Sequence, residues 1–125
     1  RKALTRTDGK MEVEVRTLPG GTHRFTIETK ADRTKITGWM SGSYRVTAEL
    51  KTDGSRFTAY NDALNFSLKS KNGMNYDGTA FVTTPRGGHD TSTVTLDTTG
   101  TLAPAALMTA DPALFVLVYV VPYNL

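Results

Sequence analysis

The chain has 125 residues, 38% of them apolar and 22% charged, with no cysteine and a formal charge of +3. It is long enough to bury one core without staples and too rich in aromatic and β-branched residues for disorder; without thiols it has no disulfide framework, no cysteine nucleophile and no thiolate metal site. Residues 1–56 hold 12 Lys/Arg against 7 Asp/Glu and residues 57–125 hold 3 against 5, but the cations are scattered singly, unlike the dense runs that neutralise phosphates, so no nucleic acid is expected as a partner.

A single domain is expected over residues 1–125. The opening RKALTRTDGK carries neither an initiator Met nor a signal-peptide pattern, so the domain reads as an excised or processed part of a longer chain. MEVEVRTL (11–18) alternates Met11, Val13 and Val15 against Glu12, Glu14 and Arg16, and THRFTIET (22–29) alternates again with Phe25 and Ile27 inward; both predict half-buried strands joined at PGG (19–21). TKITGWM (34–40) and SYRVTAEL (43–50) follow, the latter with Tyr44, Val46, Ala48 and Leu50 on one face. TDG at 52–54 turns the chain into SRFTAY (55–60), and ALNFSLKS (63–70) places Leu64, Phe66 and Leu68 together. KNGMNYDG (71–78) reads as a loop, before strands TAFVTT (79–84) and TSTVTL (91–96). TLAPAALMTADP (101–112) is the only helix candidate, with Pro104 in its first turn and Asp111-Pro112 stopping it.

The last segment, Ala113 to Val121, is wholly apolar apart from the hydroxyl of Tyr119, and at about half the 18–20 residues of a membrane-spanning helix it predicts no membrane span. Its Val, Phe and Tyr content predicts a ninth strand. As a strand it sends Phe115, Leu117, Tyr119 and Val121 one way and Leu114, Val116, Val118 and Val120 the other, so both faces need cover. These elements predict an all-β, jelly-roll-like antiparallel sandwich of about nine strands with at most one short helix. Its core is expected to contain Phe25, Ile27, Val46, Leu50, Phe66, Leu68, Val94 and Leu96.

Chemistry-bearing motifs are sparse. LDTTG (96–100) resembles the D-[ST]-G loop of aspartic proteases but has Thr99 where the glycine belongs. His23 and His89 lack a third ligand at metal spacing, and His89-Asp90 beside Ser92 has no nucleophile-elbow context. No catalytic residue, metal or cofactor is assigned. Asn65-Phe66-Ser67 fits the glycosylation sequon but falls within a strand pattern. Trp39, the sole tryptophan, serves either as a core anchor or as an exposed aromatic at an interface or sugar site. Arg86, His89 and Asp90 in the PRGGHDT loop are the candidate recognition residues.

FTIETKADRTKITGWMSGSYRVTAEL (25–50), with its Gly42, Tyr44 and Val46 in a G-x-Y-x-V strand, VTLDTTG at 94–100 and the terminal apolar run together resemble the protruding domain of icosahedral plant-virus coat proteins of the tombusvirus and carmovirus kind. The likeness covers about half the chain. It implies a jelly-roll-like sandwich that pairs two-fold through a sheet face to form surface projections of the virion and presents loops to a host or vector surface receptor. A basic RNA-binding arm and clustered calcium-site acids, which the family carries in its shell domain, are absent. The expectation is thus a non-enzymatic, structural interaction domain working as a homodimer, with Phe115, Leu117, Tyr119, Val121 and Trp39 as candidate interface residues. The alternative from a different class is a bacterial pilin or carbohydrate-binding adhesin domain at a cell surface, donating KMEVEVRTL (10–18) to the next subunit.

Overall fold

The computed structural model describes residues 2–7, 10–17, 21–40, 44–61, 64–83, 86–100 and 102–124. Nine strands come first: β1 (Lys2–Thr7), β2 (Lys10–Thr17), β3 (Gly21–Thr29), β4 (Arg33–Met40), β5 (Tyr44–Lys51), β6 (Arg56–Tyr60), β7 (Leu64–Ser70), β8 (Asn75–Thr83) and β9 (His89–Asp97). Helices α1 (Pro104–Ala110) and α2 (Pro112–Phe115) follow, and α2 runs on into a π-helical turn (Val116–Val120) and a 3-10 turn (Val121–Asn124). Leu18, Pro19, Gly20, Gly42, Ser43, Ala63, Thr84 and Pro85, which belong to expected strands and turns, lie outside the described residues.

The antiparallel all-β character matches expectation, and each strand pairs with its neighbours in sequence, so the nine form one meandering sheet in the order β1 to β9. The expected sandwich had two facing sheets; here the layer facing the sheet is helical. The strand count agrees with the sequence reading, but the membership differs. Lys2–Thr7 supplies a strand that was not anticipated, and the C-terminal run is not one. Asn75–Gly78, expected in a loop, opens β8 because Tyr76 is an inward anchor. Its ring is fully buried and its hydroxyl donates to the carbonyl of Gly54, tying β8 to the β5–β6 turn. Burial and the nearby Tyr119 and Asp53 push its phenol pKa up, which keeps it a donor.

Alternation decides the two faces of the sheet. Phe25, Ile27, Val46, Leu50, Phe66 and Leu68 are all at most 5% exposed in one cluster, and Val94 and Leu96 pack against it partly buried. Two inner-face glycines let adjacent backbones close in: a Cβ on Gly38 would lie 2.2 Å from the Arg24 carbonyl oxygen, and one on Gly78 would lie 1.8 Å from that of Ser67. Glycines at such positions mark places where a sheet bends sharply.

The C-terminal run corrects the sequence reading most sharply. Asp111-Pro112 does stop α1, but it also starts α2: the Asp111 carboxylate accepts from the Leu114 N–H at 3.1 Å, and Pro112 occupies the first helical position. The Val121 N–H then reaches the Val116 carbonyl, the five-residue step of a π turn. In this winding Ala113, Phe115, Val116, Tyr119, Val120 and Val121 are buried, while Val118 is 45% exposed. The β preference of Val and Tyr is overridden by the cap, the proline and the apolar surface offered by the sheet. Phe115 sits 5.8 Å from Phe57 and 5.0 Å from Tyr119 between ring centroids, and Phe57 lies 5.8 Å from Phe66. Each such pair adds about 0.5–1.5 kcal/mol beyond area burial. The apolar run therefore needs no second sheet and no twin to cover it, because it is itself the cover of the inner face.

His23 is fully buried on that face, opposite Val15. Burial holds its imidazole below the ordinary value of 6.5. The unfolded chain then binds a proton more readily than the folded one, so this contribution to stability is present above about pH 6.5 and is lost as pH falls. The carboxyls of Asp53 and Asp97, held low by hydrogen bonds from Ser55 and Thr99, lose theirs only below the ordinary 3.8. Thermal melts are expected to drop between about pH 7 and 5 in the wild type and to flatten over that window in His23→Gln.

Candidate functional site

The outer face of the sheet carries the side chains that alternate with the core. By strand register, Glu14, Arg24, Trp39 and Arg45 form one cross-strand row on β2 to β5. Beside it run Glu12, Thr26, Thr37, Thr47, Tyr60, Asn65, Phe81 and Thr91, on β2 to β9. A third row alternates in sign across Lys10, Glu28, Lys35 and Glu49, a cross-strand arrangement in which every neighbour attracts.

Trp39 resolves the choice left by the sequence: it is 51% exposed on the outer face and is not a core anchor. Arg24 beside it is held by Glu14 at 3.3 Å, with most of its guanidinium in solvent. Shallow recesses flank the indole, one lined by Glu14, Arg16, Thr22 and Arg24 and the other by Glu12, Thr26, Thr37 and Arg45. Tyr60 is 52% exposed and Phe81 40%, so an exposed aromatic stands on alternate strands β4, β6 and β8, spaced laterally by roughly 10 Å. Thr47, between Thr37 and Tyr60, is only 7% exposed, so the middle of this face is packed rather than open.

The remaining sequence candidates divide. Phe115, Tyr119 and Val121 are buried and Leu117 partly buried against the core, so these four do not form an open interface; their strand geometry was wrong. Arg86 is exposed in the turn before β9, whereas His89 and Asp90, expected in that loop, are the first residues of β9. His89 stacks on Phe81 at 4.5 Å between ring centroids, which joins it to the aromatic belt. Tyr60, Phe81, Arg24 and Arg45 were not singled out from sequence. For Arg24 and Arg45 the signal was available, since each lies on the polar half of an alternating strand whose inward residues are assigned; for SRFTAY and TAFVTT no facing is assigned from sequence.

The motifs weighed for catalysis serve turns and strands. Asp97 accepts from the Thr99 N–H at 2.8 Å, the Thr98 hydroxyl donates to the Met74 carbonyl at 2.7 Å, and the Thr99 hydroxyl reaches the Asn75 Oδ1 at 3.3 Å, so LDTTG is a turn fastened to the start of β8. Ser92 pairs with Ala80, an odd number of residues along β9 from His89, and the two side chains leave opposite faces. Asn65 is exposed in β7 between Tyr60 and Phe81. Among the described residues no helix is long and apolar enough to cross a membrane. Comparison with protein-family models, with curated proteins and with solved structures finds no significant match.

Proposed function

We propose that this chain is a non-enzymatic interaction domain that pairs two-fold with a second copy through the outer face of β4 to β8. The observation that carries the reading is the belt of Trp39, Tyr60 and Phe81 on one face, bordered by Arg24, Arg45 and His89. Trp, Tyr and Arg are the residues that dominate binding energy at protein interfaces, with an uncharged centre and a charged rim. Thr37 on β4 and Asn65 on β7 provide uncharged contact area between the aromatics, and Arg24 and Arg45 a charged border.

The belt also suits a two-fold operator. Trp39 lies two strands to one side of Tyr60 and Phe81 two strands to the other. An axis running along β6 sets the two Tyr60 side chains together and brings each Trp39 towards the Phe81–His89 stack of the other copy, the reciprocity an isologous contact requires. Stacked in this way, the two sheets lie about 10 Å apart. Placement as a projection on a virion surface, facing a host or vector receptor through Arg86 and its turn, rests on the resemblance of residues 25–50 and 94–100; the terminal apolar run that also entered the likeness as a strand is helical. The donated-strand alternative draws no support from β2, which is paired on both sides within its own chain.

Because Trp39 is the only tryptophan, its emission reads the contact directly. On dilution from millimolar to nanomolar protein, the emission is expected to shift to longer wavelength in a single transition that coincides with halving of the mass by light scattering. A constant spectrum with constant monomer mass overturns the reading.

A further inference from the structure

A second feature of the outer face lies at the end where the turns after β3, β5 and β7 meet it. The row of Lys10, Glu28, Lys35 and Glu49 alternates in sign, but the row beside it does not: Arg33 on β4 is directly opposite Lys51 on β5, and Arg56 on β6 is directly opposite Lys69 on β7. Each is one residue from a buried inner-face neighbour, Thr34, Leu50, Phe57 and Leu68 in turn, so all four point outward. Lys51 and Arg56 flank the turn between β5 and β6 and line one recess of about 280 Å³ with Arg33, Glu49 and Thr58, which makes the four cations a single line across four strands. At about 4.8 Å per strand the line is roughly 14 Å long. Like charges set opposite one another on one face destabilise a sheet, so folding gives no reason for this row. Arg33 is engaged by Glu49 and Asp32, each at 3.8 Å, yet its Nε has no hydrogen-bond acceptor. Lys51, Arg56 and Lys69 are exposed and form no ion pair among the described residues; the acids placed beside them are Glu49 in the recess, Asp53 in the turn, which feels Lys51, and Asp77, opposite Lys69 at the end of the row. Next to the cations runs a row of hydroxyls, Thr58, Ser67 and Thr79. The exposed aromatic of these strands, Tyr60, is four residues up β6 from Arg56, roughly 13 Å away. A chain that carries both anionic groups and hydroxyls matches the two rows, whereas nucleic-acid bases find no ring there to stack on.

We propose that this line binds a sulfated polysaccharide, with its sulfates across Arg33, Lys51, Arg56 and Lys69 and its hydroxyls towards Thr58, Ser67 and Thr79. Paired about β6, the row would face its own copy, and a sulfated chain between the two would offset that repulsion. Binding is a property of the single chain, so calorimetry is run on Trp39→Glu, which removes the proposed pairing, as well as on the wild type, and the two readings fail separately. The probes are a sulfated heparin hexasaccharide, its desulfated counterpart and a thymidine oligonucleotide of the same charge, at about 50 and about 200 mM salt. The hexasaccharide is expected to bind Trp39→Glu one to one and the wild type at least as tightly, and to lose roughly 50-fold in affinity between the two salts, the scale for four neutralised cations. Lys51→Gln/Arg56→Gln, at two exposed positions, should weaken it at least about tenfold without lowering the melting midpoint, because like-charge neighbours are removed. Lys35→Gln, in the alternating row of the same face, should leave binding within about twofold. The proposal is overturned if the hexasaccharide does not bind at the lower salt, if the desulfated chain or the oligonucleotide binds as tightly, if the double variant binds unchanged, or if Lys35→Gln weakens binding as much as the double variant does. A double variant that melts well below the wild type would likewise overturn it, by assigning the row to the fold.

Discussion

Val116→Lys is expected to unfold the domain, and Val118→Lys, two residues further on, to leave it folded. In a strand these two side chains share a face and must respond alike. In the helical winding they part company, since Val116 is fully buried beside the aromatic cluster and Val118 is 45% exposed. A lysine at 116 has to bury an ammonium among Phe115, Val120 and their neighbours with no partner for it, a change in the class that costs more than about 4 kcal/mol, comparable to the whole stability of a small domain. At 118 the ammonium reaches water and the expected change is within about 0.5 kcal/mol. Urea titrations followed by circular dichroism measure both. Equal destabilisation by the two substitutions would return the segment to a strand and remove the plug from the core.

Gly78→Ala should cost about 3 kcal/mol or more, although it adds one methyl group. The new Cβ would stand 1.8 Å from the Ser67 carbonyl oxygen and 3.0 Å from the Leu68 Cα, both backbone, so β7 and β8 must separate to admit it. Gly87→Ala is the control. It has a φ of +80° but open space around the added methyl, so its cost is conformational alone, roughly 1–2 kcal/mol. The order of the two midpoints, Gly78→Ala well below Gly87→Ala, separates a close approach between strands from a turn preference.

Much of the sheet was legible from residue alternation because period 2 with one wet face leaves a clear pattern: Phe25 and Ile27, Val46 and Leu50, Phe66 and Leu68 were each assigned inward from their own strand. The segment at 113–121 was misread for the complementary reason. Where nearly every residue is apolar, periods 2 and 3.6 look alike, and β-branched composition then points to a strand. The one local sign of a helix was Asp111-Pro112, which serves both as a stop and as a start. Tyr76 was hidden because its partner, the Gly54 carbonyl, is 22 residues away and no local pattern announces such a bond. The outer belt was partly visible: Trp39 was named, but Tyr60 and Phe81 join it only through the register of five strands, which sequence spacing leaves open.

With most of the C-terminal run assigned to the core, the proposed self-association is placed on the outer face. Sedimentation equilibrium of the wild type beside Trp39→Glu and Tyr60→Glu tests this most directly, because both residues are about half exposed and their replacement leaves the core intact. The account predicts a dimer for the wild type and, for each variant, a monomer with unchanged circular dichroism and a dissociation constant raised at least thirtyfold, about 2 kcal/mol for a central aromatic. A wild type that remains monomeric at millimolar concentration, or variants that dimerise as well as it does, would contradict it.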